Sequence, residues 1–220
     1  ALLRVTAKAA DAKAAEALCA PVLHEIKARL ADVIYGIDVD SIEEAAAALL
    51  KQKHLTVAAA ESATGGLVAK RLTDIPGASE IFHCGIVSYA NEIKTKLLGV
   101  NEQTLKEQTA VCGDVAVQMA CGALRQSGAD LAVSVTGLAG PDSDETGRDP
   151  GLAYLALTDG RRVWQRTVRT GHTEADCRDY NRTVFASHVF HLIYLYAAAF
   201  PQPPENGVLL DQEPREEQAI

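Results

Sequence analysis

The chain has 220 residues, of which 48% are hydrophobic and 23% charged, so it can bury a sizeable core and is not disordered throughout. Lys and Arg number 21 against 29 Asp and Glu, and the formal net charge of −8 disfavours a general affinity for nucleic acid or an anionic membrane. No apolar stretch approaches the roughly 20 residues of a membrane span, and no secretory signal is visible, so we expect a cytoplasmic protein.

Residues 1–40 are predicted to form a small α+β fragment followed by a linker. Residues 2–8 alternate apolar and polar side chains as a strand does, residues 11–30 have apolar positions at helical spacing, and residues 33–35 indicate a second short strand. A piece of this size cannot bury a core of its own, so we interpret it as part of a small domain.

Residues 41–200 are predicted to form the main domain. A capping-box pattern of Ser41 and Glu44 starts a helix that runs to Lys53. The further predicted elements are a strand over 54–60, a turn over 61–66, a helix over 67–74, a strand over 82–90, helices over 92–98 and 113–127, a strand over 130–136, a loop over 137–150, a hairpin of strands 152–158 and 162–168, and a helix over 174–198. This order favours a layered α/β domain with a mixed β-sheet flanked by helices. Residues 201–220 have the composition of a flexible tail.

The turn at residues 61–66 is the first candidate site. It places the hydroxyls of Ser62 and Thr64 and several free backbone N–H groups at the positive end of a helix dipole. Such a turn can bind an anion or an oxyanion, which makes Glu61, Thr64, Gly65 and Gly66 candidate binding residues. The alternative is that Ser62 or Thr64 only caps the helix, that the glycines allow close packing, and that Glu61 is solvated.

Tyr89 and Lys94 form a second candidate pair. Tyr89 ends a predicted strand and Lys94 lies in the next helix, so both can point to the crevice where open α/β sheets bind ligands. A lysine there serves as a base only if its pKa falls from about 10.4 towards neutrality. The alternative places Lys94 on a solvated helix face and Tyr89 in the core.

A second glycine-containing loop and two arginines complete the candidates. The loop residues that can shape a small-molecule pocket, or simply connect two strands, are Thr136, Gly137, Gly140 and Pro141. Arg178 and Arg182 are four residues apart on one predicted helix, so they can grip a phosphate together or pair with acidic neighbours. The acids of residues 142–149 lack the register of a calcium loop and the five cysteines are scattered, so we assign neither a metal nor a cofactor.

Several ordered segments resemble the C-terminal nicotinamide mononucleotide deamidase domain of the CinA family. They are TVAAAESATGG at residues 56–66, LTDIPGAS at 72–79, VSYANEIK at 87–94, LLGV at 97–100 and VTGLAGP at 135–141. The similarity covers about residues 42–198. Residues 3–8 and the following helix also resemble the small KH-like middle region of full-length CinA proteins.

The resemblance implies hydrolysis of nicotinamide mononucleotide to nicotinic acid mononucleotide and ammonia without a metal. It makes Ser62 the nucleophile and Tyr89 and Lys94 the residues that activate it and relay protons, and it leaves open which of these two is the base. Backbone N–H groups near residues 64–66 would hold the oxyanion of the acyl-transfer step. The resemblance also implies self-association. The alternative function is a non-catalytic nucleotide-binding or regulatory module linked to competence or DNA damage, and DNA binding is a third option that the negative charge disfavours.

Overall fold

The computed structural model describes residues 3–30 and 33–200, which divide into two units between Val39 and Asp40. The first unit contains α1 (Ala12–Leu30), and the Asp11 carboxylate accepts a hydrogen bond from the Ala14 amide at 2.8 Å at its start. The described residues of this unit contain no strand, so the strands predicted over residues 3–8 and 33–35 are not formed. Residue 2, the first residue of the first predicted strand, lies outside the described residues. An alternating pattern makes a strand only where a neighbouring strand accepts its hydrogen bonds.

The second unit contains the remaining elements. In chain order they are α2 (Ile42–Lys53), β1 (Val57–Glu61), α3 (Leu67–Thr73), a 3₁₀ turn (Ala78–Glu80), β2 (Phe82–Val87), α4 (Asn91–Leu98), α5 (Glu102–Gln108), α6 (Gly113–Ser127), β3 (Leu131–Gly137), β4 (Leu152–Thr158), β5 (Val163–Arg169) and α7 (Cys177–Ala199). None of the described helices is long and apolar enough to cross a membrane.

The five strands form one mixed sheet in the order β2-β1-β3-β4-β5, which confirms the predicted α/β architecture. Strands β2, β1 and β3 are parallel, and β4 and β5 are antiparallel to their neighbours. The ends of the parallel strands, at Glu61, Val87 and Gly137, therefore meet at one edge of the sheet, which we call the carboxyl edge. The β4–β5 hairpin places the start of β4 and the end of β5 at the same edge.

Side-chain alternation along β1 separates the core into two layers. Val57 and Ala59 pack in the larger cluster with α2, α3 and α7, whereas Ala58 and Ala60 pack against α4 and α6 on the other face. Burying large apolar side chains such as Phe185 contributes about 1.5–3 kcal/mol each. Consecutive residues at the end of β1 therefore point into different layers.

The helix starts show which local signals the sequence carries. The Ser41 hydroxyl accepts a hydrogen bond from the Glu44 amide at 3.2 Å, as the capping pattern predicts. Helix α5 was not predicted because it has no buried residue and so no apolar period, although the Asn101 side chain caps it. Strand β1 begins at Val57 rather than at His54, because His54 adopts a left-handed conformation (φ 55°) and ends α2.

Candidate active site

The turn after β1 is built around the carboxylate of Glu61, which is 1% exposed. Its Oε2 accepts hydrogen bonds from the Thr64 hydroxyl at 2.7 Å and from the Gly66 and Val68 amides at 2.9 and 3.0 Å. Its Oε1 accepts one from the Ala69 amide at 2.8 Å. The carboxylate satisfies free N–H groups of α3 and complements the positive end of its dipole. Glu61 therefore holds the turn, and its assignment as a substrate-binding residue is corrected because the carboxylate is buried and engaged within the protein.

Ser62 leaves β1 on the face opposite to Glu61. The Ser62 amide donates to the Val135 carbonyl at 3.0 Å, which extends the β1–β3 ladder by one residue. The alternation along β1 then directs the Ser62 side chain to the layer of α4 and α6. This side chain is half-buried, and its hydroxyl has no hydrogen-bond partner within residues 3–30 and 33–200. A free hydroxyl at the end of a strand is available as a nucleophile.

The amides that can hold an oxyanion differ from those predicted. The Gly65 amide donates to the Ser62 carbonyl at 3.1 Å, and the Gly66 amide is taken by the buried carboxylate. Among the residues that the structure describes, the amides of Ala63 and Thr64 have no acceptor. These two unpaired N–H groups are therefore the candidate donors to a developing negative charge next to Ser62.

Lys94 is a buried lysine, 1% exposed, on α4. Its Nζ donates hydrogen bonds to the carbonyl oxygens of Ser88 at 2.8 Å and of Tyr89 at 3.0 Å. No carboxylate pairs with it in the described part of the chain. Burial lowers the pKa of Lys94 from 10.5 to about 8. An appreciable fraction is therefore a neutral amine near neutral pH, as a general base requires.

Hydrogen bonds connect Lys94, through Ser88, to the end of β1. Ser88 directly follows β2, and its amide donates to the Glu61 carbonyl at 2.9 Å. The parallel β1–β2 register, extended by that bond, places Ser62 beside Ser88. Because Lys94 Nζ contacts the Ser88 carbonyl, and Ser88 lies beside Ser62 in the register, Lys94 and Ser62 both lie at the carboxyl edge.

Tyr89 reaches the same edge, but its hydroxyl contacts another residue. The Tyr89 side chain is 60% exposed, and its hydroxyl accepts a hydrogen bond from Arg178 Nη2 at 3.1 Å. Only the main-chain carbonyl of Tyr89 contacts Lys94. The Tyr89 hydroxyl is therefore hydrogen-bonded to Arg178 and not to the Ser62 hydroxyl.

Helix α7 brings both candidate arginines to the carboxyl edge. Arg178 Nη1 donates to the Gly140 carbonyl at 2.7 Å, and Arg182 donates to the Thr64 carbonyl from Nη2 at 2.7 Å and from Nε at 3.2 Å. All these acceptors are neutral, and neither arginine forms an ion pair with a described residue. The alternative of pairing with acidic neighbours is thus not formed, and both guanidinium groups lie at the carboxyl edge.

The loop after β3 contributes shape more than polar side chains. Thr136 is buried and its hydroxyl donates to a main-chain carbonyl at 2.7 Å. A Cβ on Gly137 would lie 2.6 Å from the Leu152 carbonyl oxygen, so glycine allows β3 and β4 to approach. Gly140 has a φ of +96°, which favours glycine, and the following Pro141 is exposed.

Two residues that the sequence did not single out hold these loops. Asn181 is fully buried and its Nδ2 donates to the carbonyls of Ala139 and His172, both at 3.1 Å. Arg148 donates to the Val111 carbonyl and to the Thr109 hydroxyl. The only sequence signal for Asn181 is an amide in a helix that is otherwise apolar on its inner face, and Arg148 carries no such signal.

The composition of the edge does not match a metal site. Among residues 3–30 and 33–200, no group of three or more His, Cys, Asp or Glu side chains could hold a metal ion. The side chains at this edge that carry candidate chemistry are those of Ser62, Lys94, Tyr89 and the two arginines of α7.

Comparison with known proteins gives the family. Residues 39–196 match the CinA C-terminal domain, and residues 1–36 match the KH domain of the damage-inducible protein CinA. The chain belongs to the CinA family. A CinA-like protein from Desulfovibrio desulfuricans is 43% identical over 199 residues, 90% of this chain and 47% of that protein. Another from Geobacter sulfurreducens is 48% identical over 157 residues, 71% of this chain and 38% of that protein. The CinA chain described here thus spans less than half the length of either relative.

Solved structures of CinA proteins share the fold. A competence/damage inducible protein from Agrobacterium tumefaciens superposes with a TM-score of 0.64 at 34% identity, covering 72% of this chain and 96% of that one. A CinA superfamily protein from Escherichia coli gives a TM-score of 0.65 at 27% identity, covering 74% of this chain and 95% of that one. The mixed five-stranded sheet is therefore the fold of CinA relatives.

Proposed function

We propose that this chain is a metal-independent amidohydrolase that converts nicotinamide mononucleotide and water to nicotinic acid mononucleotide and ammonia, with Ser62 as the nucleophile. The observation that carries the proposal is the hydrogen bonding of Lys94. A neutral amine has two N–H groups and one lone pair, and the carbonyls of Ser88 and Tyr89 accept two hydrogen bonds from Nζ. The lone pair is then left to take a proton at the carboxyl edge.

The first half of the reaction forms an acyl-enzyme. Ser62 Oγ attacks the carboxamide carbon while its proton passes to neutral Lys94, and the carbonyl oxygen becomes an oxyanion. The free amides of Ala63 and Thr64 stabilise that oxyanion, and one such donor is typically worth about 10²–10³-fold in rate. The lysine ammonium then protonates the departing nitrogen, the C–N bond breaks, and ammonia leaves.

The second half of the reaction restores the serine. Water attacks the ester carbon, its proton passes to neutral Lys94, and the C–O bond to Ser62 breaks as Oγ takes the proton back. Nicotinic acid mononucleotide is released. Every proton is therefore shuttled by a group of the chain.

The arginines of α7 supply the preference for a nucleotide. Arg178 and Arg182 hold neutral carbonyls, so their charge stays available to a phosphate. A phosphate bound there orients the pyridine ring towards Ser62. We therefore expect the nucleotide to be a better substrate than the corresponding riboside.

Ammonia release from a panel of carboxamides tests the proposal. The purified chain should release ammonia and nicotinic acid mononucleotide from nicotinamide mononucleotide, and Ser62→Ala and Lys94→Met should lower kcat by at least about 10²-fold. Lys96→Met is the matched control, because Lys96 is an exposed lysine on the same helix and should leave kcat unchanged. Specific nucleotide binding without any product would instead favour the regulatory module.

A further inference from the structure

Ser88 is a buried residue whose polar side chain is not satisfied by a hydrogen bond within the described part of the chain. It is 0% exposed, and its Oγ is a buried polar atom without a hydrogen-bond partner. A buried hydroxyl without a hydrogen-bond partner destabilises the folded state, so folding alone does not favour a serine at this position. The position therefore calls for a functional explanation.

The sheet register places this hydroxyl next to the candidate nucleophile. Val87 Cγ2 would lie 3.6 Å from a Cβ on Gly66, so Val87 points to the α3 side and Ser88 to the opposite layer. Ser62 faces that same layer from the neighbouring strand. Neighbouring strands are about 4.8 Å apart, so rotation about χ1 can bring the two hydroxyls within hydrogen-bond distance.

Ser88 also belongs to the group that holds Lys94. Its carbonyl accepts a hydrogen bond from Lys94 Nζ at 2.8 Å, while its amide donates to the Glu61 carbonyl at 2.9 Å. Ser88 therefore contacts Lys94 through its carbonyl group and pairs with the end of β1 through its amide group. Hydrogen bonds in catalytic sites often tighten only when substrate is bound, so a hydroxyl without a partner among the described residues fits such a role.

We propose that the Ser88 hydroxyl relays the proton between Ser62 and Lys94; this inference rests on the proposed amide hydrolysis. As the bond from Ser62 Oγ to the substrate carbon forms, the Ser62 proton moves to Ser88 Oγ and the Ser88 proton moves to Lys94 Nζ. Lys94 Nζ then returns a proton through Ser88 Oγ to the departing nitrogen rather than to Ser62, and the C–N bond breaks as ammonia leaves. Ser88 is unchanged at the end of each half-reaction, so atoms and charges balance.

Ser88→Ala tests the relay because it removes only Ser88 Oγ, which has no hydrogen-bond partner among the residues that the structure describes. We expect kcat to fall about 10²-fold with KM changed less than about 3-fold, and the free energy of unfolding to stay equal or rise. Ser88→Thr restores a hydroxyl and should recover much of kcat. The matched control is Ser134→Ala on the same face of the sheet, where the Ser134 hydroxyl donates to the Ala116 carbonyl. That variant should lose stability and keep kcat.

The pH profile distinguishes a relay from a packing role. In the unaltered chain, kcat should follow deprotonation of Lys94, whereas the residual activity of Ser88→Ala should no longer follow that titration because Ser62 is disconnected from the amine. An unaltered kcat in Ser88→Ala overturns the relay. A lowered kcat with an unaltered pH profile also overturns it.

A substrate-independent assay separates this inference from the proposed function. An aryl sulfonyl fluoride labels an activated serine by forming an O–S bond and releasing fluoride, while the serine proton passes to the base. Slower labelling of Ser62 in Ser88→Ala supports the relay even if the chain releases no ammonia from nicotinamide mononucleotide, a result that would overturn only the substrate assignment. Equal labelling rates in both proteins contradict the relay.

Discussion

Arg182 on α7 donates two hydrogen bonds to the carbonyl oxygen of Thr64, from Nη2 at 2.7 Å and from Nε at 3.2 Å. This contact joins the last helix of the domain to the turn that carries Ser62. A guanidinium on a neutral carbonyl keeps its positive charge, so the same side chain can position the turn and attract an anion. Arg178, one helical turn earlier, holds the Gly140 carbonyl in the same way, but its side chain is exposed.

Replacing these two arginines should separate stability from substrate preference. Arg182→Ala should lower the free energy of unfolding by about 1.5–3 kcal/mol, because it removes charge-assisted hydrogen bonds from a half-buried site. Arg178→Ala should cost less than about 1 kcal/mol, because the side chain is exposed. Urea denaturation measures both values.

The same variants should lose preference for a phosphorylated substrate. We expect the ratio of kcat/KM for the nucleotide to that for the riboside to fall at least about 10-fold in each, because only the nucleotide carries a phosphate for the arginines. Arg125→Ala is a matched control, since Arg125 donates to the Leu98 carbonyl on α4, away from the carboxyl edge. A ratio that stays constant in Arg178→Ala and Arg182→Ala would refute the phosphate role.

Glu61→Ala should destabilise the domain more than any surface substitution. The variant leaves the Gly66, Val68 and Ala69 amides and the Thr64 hydroxyl without their acceptor in a buried place. Each unsatisfied group costs about 1–3 kcal/mol, so we expect a loss of about 3 kcal/mol or more in the free energy of unfolding, measured by urea denaturation. Glu43→Ala, which breaks a partly exposed pair with Arg71, is the comparison and should cost less. Equal losses would contradict the central position of Glu61 in the turn.

The sequence predicted the elements that carry a strong local period. The β4–β5 hairpin around Asp159 and Gly160 and helix α6 have the bounds that alternation and helical spacing indicate, within one residue. Strand β5 alternates between buried and exposed residues, and helix α6 buries one stripe, whereas β4 is a short apolar run that is buried on both faces; in each case the pattern and the fold agree. The mixed sheet followed from the order of these elements.

The remaining features depend on contacts between distant residues. Glu61 looked like a possible solvated acid because its four donors become apparent only when the turn is folded. The exposed helix α5 has no apolar face to reveal it. Ser88 and Arg148 matter through the sheet register and through a contact with residues 109–111, neither of which a single sequence displays.

The stability of the domain should depend on Lys94 at alkaline pH. Burial lowers the pKa of Lys94 from 10.5 to about 8, so between these values the unfolded chain binds more protons than the folded chain. The free energy of unfolding should therefore receive a rising contribution from about pH 8 to 10.5, with the full cost of the buried ammonium present below pH 8. Other lysines and tyrosines titrate in this range, so the comparison is between the unaltered chain and Lys94→Met. If the difference between the two does not change with pH, Lys94 does not carry the lowered pKa.

Arg148 should control the order of the loop between β3 and β4. It forms an ion pair with Asp144 at 2.7 Å and also holds the Thr109 hydroxyl and the Val111 carbonyl. Arg148→Ala removes these contacts at once, so we expect faster amide hydrogen exchange over residues 138–151 with little change in the strands. Arg161→Ala on the exposed β4–β5 turn is the control and should leave exchange in the loop unchanged.

The same loop should respond to acid through Asp144. Burial alone would raise the pKa of Asp144, but hydrogen bonds from the Thr146 hydroxyl and from the backbone and side chain of Arg148 outweigh it and lower the pKa from 3.8 to about 2. A lowered carboxyl pKa contributes stability that is present above pH 3.8 and is lost as the pH falls through 2. Asp144→Asn should remove this part of the acid dependence while also weakening the loop at neutral pH. Unfolding measured from pH 2 to 5 should therefore show a shallower decline in the variant than in the unaltered chain, and parallel curves would show that Asp144 does not titrate in this range.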